Sequence, residues 1–266
     1  MRSKGKRVKK KEYAKKNSKK TNKSKKIILI ILQTIFITIM IVSAIKIYFW
    51  WQENKQNKNI LDEISEKVTI DNTQGNDNNK YKVDFNSLKQ TNNDTIAWLK
   101  VNGTQIEYPI VKYSNNDYYL NHSFDKSKNS AGWTFMDFKN VMDGTDKNIV
   151  IYGHNRKDGS MFGTLKNILN EDWYNNEDNK NVVFITENEN CIYEVFSVYT
   201  IEKEDYYITT SFKNDEEYTK FLDKIKSRSI KDFGVEVTSE DQILTLSTCA
   251  DNNKFRVVLH AKKVGR

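Results

Sequence analysis

The chain is predicted to fold as a mainly β domain, closed or strongly curved like a barrel and decorated by a few helices. Three observations predict it. Short runs rich in β-branched and aromatic residues recur through the body: IEYPIV, GWTFMDF, NIVIYGH, VVFITE, CIYEVFSVYTI, ILTLSTC and FRVVLHAKK. Turn-forming residues separate these runs. Helical spacing interrupts them in two places, MFGTLKNIL (161–169) and NDEEYTKFLDKIKS (214–227), the second with Tyr218, Phe221, Leu222 and Ile225 on one face. No internal repeat is present, and the EVF and RVVLHA runs alternate or are continuously β-branched, as in a closed or strongly curved sheet.

Residues 1–26 form a basic tail holding fourteen Lys or Arg against the single acid Glu12. That is +13 of a formal net charge of +8, so the remainder carries −5. The basic character belongs to the tail. The body is mildly acidic, which excludes capture of nucleic-acid phosphates by it.

Residues 27–51 read as a transmembrane anchor. From Ile27 to Ile45 nineteen residues carry no charge, and at ~1.5 Å rise they span roughly 28 Å, close to a hydrocarbon core. Lys46 then precedes Tyr48, Trp50 and Trp51, an aromatic cluster suited to the far interface. A cleaved signal peptide is the alternative, but the run ends in bulky aromatics rather than small residues. The basic residues before the span orient it with the N-terminus cytoplasmic and the body extracellular.

Residues 52–81 are polar and include DNTQGNDNNK, which reads as a stalk or linker with helical spacing at Ile60, Leu61, Ile64 and Val68. The folded body is expected over 82–266. It opens with a short helix capped in the NND region and a strand around Ala97–Val101.

Two cysteines make a poor disulfide framework, so Cys191 and Cys249 are read as free thiols. Cys191 starts a strand run and reads as a small hydrophobe. Cys249 ends ILTLSTC and precedes the polar ADNNK, a rigid strand end opening into a loop, where catalytic groups are placed. A thiol nucleophile needs a base or cation beside it. His154 ends the run NIVIYGH before a polar turn, with Gly153 letting the backbone bend; His122 lies among polar loop residues, and His260 within the last strand. Each histidine has a structural reading as well as a catalytic one. Arg256 heads the strand after Cys249. It reads either as a solvated strand-edge charge or as a guanidinium brought near Cys249 by the short loop, able to hold an oxyanion. His260 lies four residues past Arg256, about 13 Å along a strand, too far to partner Cys249.

TLSTC (245–249) followed by an Arg at the head of the next strand resembles the sortase signature, and YGHNRKDGSMFGTLK (152–166) is similar to the histidine segment of class B sortases. AWLKVNGTQIEYPIV, DYYLNHSF, GWTFMDFKN and the helix at 214–227 fall in the family's order, and the resemblance covers residues 85–263. It implies a closed β-barrel of about eight strands with N-terminal helices and a helical insertion before the penultimate strand. It implies Cys249 as nucleophile, His154 as proton shuttle and Arg256 as oxyanion donor. Ser247, Thr248, Tyr152 and Asn155 are expected to line the substrate site. The loop ADNNKF between Cys249 and Arg256 is short for class B, and its Asp251 is a candidate to orient His154 or a plain turn former.

The reaction so implied is transpeptidation. The thiol cleaves a C-terminal sorting signal of a secreted protein through an acyl-thioester, and the acyl group passes to an amine of a lipid-linked peptidoglycan precursor. A membrane anchor suits two membrane-bound substrates. No cofactor is implied, and three scattered histidines give no zinc spacing. Pilus polymerisation, hydrolysis by a thiol protease, and an inactive binding module on the same fold are the alternatives.

Overall fold

β-branched runs flanked by turns pair into ten strands in the computed structural model, which describes residues 4–70, 81–249 and 254–265. Eight of these strands close on themselves. Helix α1 (Lys4–Ser65) is followed by β1 (Val68–Ile70), β2 (Tyr81–Val83), α2 (Phe85–Thr91), β3 (Thr95–Val101), β4 (Glu107–Val111), β5 (Phe135–Met136) and β6 (Asn148–His154). Then come α3 (Glu171–Tyr174), β7 (Asn181–Ile185), β8 (Asn190–Glu202), α4 (Asp215–Ser227), β9 (Ile243–Cys249) and β10 (Phe255–Gly265). The barrel order is β10-β8-β7-β3-β4-β5-β6-β9, with β9 pairing back to β10, so no edge is left open. Most pairs are antiparallel; β4 with β5 and β6 with β9 run parallel. The expected mainly β barrel of eight strands, with a helix before the penultimate strand, is the fold observed.

The chain divides into two compact units between Gln52 and Glu53. Within the first unit, the large apolar side chains between Ile27 and Trp51 stand exposed, and α1 is the one helix among the described residues long and apolar enough to cross a membrane.

The second unit begins earlier than the sequence suggests. Residues 53–65 continue as helix and belong to the body, with Ile64 in the barrel core and Ile60, Leu61 and Val68 packed against it. β1 pairs antiparallel with β2, so the segment expected as a stalk or linker is built into the fold on both sides of residues 71–80, which lie outside the described residues. The apolar spacing at 60, 61, 64 and 68 is what seats it.

Two other segments depart from expectation. Residues 161–169 hold a 3-10 helix only over Leu165–Leu169. Met161 sits at φ 52°, a left-handed backbone that cannot start a helix, with its N–H donated to the Tyr108 hydroxyl. Gly153 lies in regular strand. A Cβ there would come within 2.5 Å of the Phe162 ring, so the glycine serves close packing rather than a bend.

Helix α4 shows why its sequence folds locally. Asn214 caps its N-terminus by accepting from Glu217 N–H, three acids fill the first turn, and Lys224 and Lys226 sit in the last. Its face of Tyr218, Phe221, Leu222 and Ile225 covers Phe196, Tyr199, Ile201 and Val258 on the outside of the barrel. Each such buried side chain contributes roughly 1.5–3 kcal/mol of transfer free energy.

Candidate active site

β6 and β9 both carry β-branched and apolar residues that are buried along their length. A parallel pair needs a long crossover, and here residues 155–242 supply it. The register runs from Asn148 opposite Ile243 to His154 opposite Cys249, so these two residues end the strand pair side by side. β10 runs antiparallel to β9 with Val258 opposite Ser247. Two residues beyond that pair the chains reach Arg256 and Cys249, at the same end of the sheet as His154. Arg256 is buried, and one guanidinium N–H donates to the Phe255 carbonyl at 3.1 Å. The structure thus brings His154, Cys249 and Arg256 to one end of three adjacent strands. Asp251 lies outside the described residues.

One hydrogen bond orients the His154 ring. Nε2 lies 2.7 Å from the carbonyl oxygen of Leu120. A carbonyl only accepts, so Nε2 carries a proton, and any exchange of a proton by the ring falls to Nδ1. Nδ1 is buried and has no hydrogen-bond partner among the described residues. Nδ1 is therefore the atom free to take up and return a proton.

Leu120 closes the 3-10 helix Tyr118–Leu120, which is pinned from beneath. The Tyr119 hydroxyl donates to Asp94 at 2.6 Å and accepts from Asn92 at 2.8 Å; burial, then the Asp94 carboxylate, push that phenol well above its usual range. Gly132 leaves room for the ring. It sits at φ 60°, and a Cβ there would lie 2.5 Å from the Tyr119 carbonyl oxygen and 2.9 Å from His154 Cδ2. Sequence reasoning missed both residues. Leu120 acts through its main chain, which leaves no trace in residue type, whereas a glycine between Ala131 and Trp133 is a signal that was readable.

The residues expected to line the substrate site divide. Asn155 follows His154, is half-buried, and bridges to Met161. The other three are buried with their hydroxyls engaged. Ser247 bonds the Tyr207 hydroxyl at 2.9 Å, Thr248 Oγ1 accepts from Val257 N–H at 3.0 Å, and Tyr152 donates to Asp137 at 2.7 Å.

The remaining histidines and the second cysteine have other partners. His260 is fully buried. Thr245 donates to Asn148 Oδ1 at 2.6 Å, so its oxygen accepts from His260 Nδ1–H at 2.8 Å, and His260 Nε2 accepts from the Tyr199 hydroxyl at 2.8 Å. Burial pushes the His260 imidazole down to about 3, keeping it neutral. His122 stacks on Tyr118 at 4.0 Å and bonds its carbonyl. Cys191 is buried opposite Phe184, and burial pushes its thiol up. Among the described residues no group of three or more His, Cys, Asp or Glu is placed to hold a metal ion.

Residues 99–264 match the family model of the sortase domain. Sortase B of Listeria monocytogenes is 36% identical over 238 residues, spanning 88% of this chain and 95% of that protein. Sortase B of Staphylococcus aureus is 33% identical over 237 residues, with shares of 88% and 96%. The Bacillus anthracis sortase B structure in complex with AAEK1 superposes with a TM-score of 0.70 at 36% identity, covering 81% of this chain and all of that one. The S. aureus sortase B–substrate complex gives 0.65 at 32%, covering 81% and 94%. Such coverage extends the likeness beyond the barrel strands to the helical segments before them.

Proposed function

As the chain belongs to the sortase family and is a cysteine transpeptidase of class B, we propose that Cys249 is its nucleophile, His154 its proton carrier and Arg256 its oxyanion donor, in a membrane-anchored enzyme that joins secreted proteins to the cell wall. The observation that carries this reading is the register pairing of His154 with Cys249 at the end of two parallel strands.

In the first half-reaction the Cys249 thiolate attacks the carbonyl carbon of a threonine in a sorting signal. His154 Nδ1 holds the proton taken from the Cys249 thiol when the thiolate forms; the tetrahedral intermediate collapses, the C–N bond breaks, and the leaving amine takes that proton from Nδ1. In the second, the amine of a lipid-linked peptidoglycan precursor attacks the thioester carbonyl, gives its proton to Nδ1 and releases the thiolate. Arg256, buried and always charged, stabilises the oxyanion in both steps together with a backbone N–H. The Nε2–H bond to Leu120 supports this division of labour, since it reserves Nδ1 for proton transfer. Asn155 is assigned a substrate contact. Ser247, Thr248 and Tyr152 are assigned to holding the strand ends in place, a role their hydrogen bonds support.

Anchorage rests on the uncharged run from Ile27 to Ile45, with the basic tail on the cytoplasmic side and the barrel outside. The test uses the full chain in detergent micelles with a fluorogenic peptide library carrying threonine at the scissile position and hydroxylamine as acceptor. Cleavage and amine-dependent ligation are expected from the parent and from His260→Ala, and from none of Cys249→Ala, His154→Ala or Arg256→Ala. Cleavage by the Cys249→Ala chain would sink the assignment.

A further inference from the structure

The helical residues that enter the body at Glu53 grip the surroundings of His154 from two sides. On one side is the loop that follows Leu120. It is closed by Asn129 N–H to the Asn121 carbonyl at 2.9 Å, next in sequence to the carbonyl that holds His154 Nε2. Asn57, buried on the helix, accepts on one oxygen from Ser123 Oγ at 2.5 Å and from Asn129 Nδ2 at 3.0 Å. Asn129 Nδ2 also donates to the Glu53 carbonyl, and its own Oδ1 accepts from Ala131 N–H, one residue before Gly132. On the other side is the turn after His154. Arg156 N–H donates to the His154 carbonyl at 3.1 Å, and its guanidinium donates to Asn54 Oδ1 on the same helix.

Ser123, Asn129 and Asn57 are all at most 4% exposed, so the hydrogen bonds between them carry the high cost of a buried polar group left unpaired. The position of Asn57 therefore dictates that of the 121–129 loop. A catalytic imidazole displaced by a fraction of an ångström loses much of its effectiveness.

The geometry points to Asn57 and Asn54 as positioning residues for the transpeptidase reaction: they set the pose and tautomer of His154 through Leu120 on one side and Arg156 on the other. This rests on the reading of His154 as proton carrier. The Asn57 amide makes its bonds only as an acceptor, since Nδ2 has no hydrogen-bond partner among the described residues. Aspartate at this position keeps both bonds and leucine keeps neither.

The full chain in detergent, labelled with 15N at histidine, is compared as parent, Asn57→Leu, Asn57→Asp, Asn54→Ala and Ile64→Ala. The last removes a core side chain from the same helix and leaves the Asn57 and Asn54 side chains unchanged. The ring nitrogens of His154 are read by NMR, and kcat and KM by hydroxylaminolysis of the threonine peptide library. Expected are the Nε2–H tautomer in the parent, its loss or mixing in Asn57→Leu with kcat down about tenfold and KM within about twofold, and near-parental behaviour in Asn57→Asp. Asn54→Ala, which leaves the buried bonds intact, should lower kcat about threefold at unchanged melting temperature, and it carries the test if Asn57→Leu does not fold. The proposal is overturned if the His154 signals are unmoved in Asn57→Leu and Asn54→Ala, or if Ile64→Ala lowers kcat as much at equal loss of melting temperature. Activity surviving in His154→Ala would instead remove the functional reading, while the NMR comparison would still decide the positioning.

Discussion

His154 and Cys249 are register partners at the ends of β6 and β9, and the only short hydrogen bond of the His154 ring among the described residues runs from Nε2 to the Leu120 carbonyl. A ring held in that way presents Nδ1 for proton exchange. Replacing the imidazole by His154→Gln keeps a polar side chain but removes the titrating nitrogen. Acyl-enzyme formation on the threonine peptides, followed by intact mass, is expected to slow by roughly 10²–10⁴-fold while the fold persists. Unchanged acylation in that variant would place the proton carrier elsewhere.

Gly132 tests the same geometry from behind. Any Cβ there meets the Tyr119 carbonyl and the His154 ring, and φ 60° is unfavourable to other residues. Gly132→Ala should cost about 1–3 kcal/mol in a denaturation midpoint. It should also lower kcat by around 10²-fold. A loss of stability with full turnover would show that the ring tolerates displacement.

His260 makes stability fall in acid. Its folded imidazole is pushed to about 3, below the ordinary 6.5 of an unfolded histidine. A depressed pKa means the unfolded chain binds the proton first. The stabilisation is complete above about pH 6.5 and is lost as pH falls from there toward 3, at about 1.4 kcal/mol per pH unit. His260→Gln should have a lower melting temperature at pH 7.5 yet a flatter decline between pH 6 and 4. Parallel melting curves for parent and variant across that window would exclude His260 as the source.

Cys191 separates the two thiols. It is buried and its thiol is pushed up by burial, so it is a poor nucleophile. Cys191→Ala should retain hydroxylaminolysis within about twofold and lose on the order of 1 kcal/mol of stability. Abolished turnover in a folded Cys191→Ala chain would give the second cysteine a role in the chemistry.

Residue type and spacing by themselves determined a good deal. The uncharged run after a basic tail, the β-branched runs between turns, the amphipathic face of α4 and the order of the TLSTC, YGHN and Arg256 segments are all local patterns, legible because burial acts on side chains of the same element. Even the helical turns at 60–65 were written in the apolar spacing of Ile60, Leu61 and Ile64, although the polar residues between them read as a linker and Val68 falls in β1. Tertiary structure alone decided what depends on contacts between distant segments. Met161 is held in a left-handed backbone by the Tyr108 hydroxyl; Ser247 and Thr248 are bound to Tyr207 and to the Val257 amide; Asn57 reaches across to Ser123 and Asn129. The tautomer of His154 hangs on a main-chain carbonyl, a group every residue possesses, so no reading of residue types could have singled out Leu120.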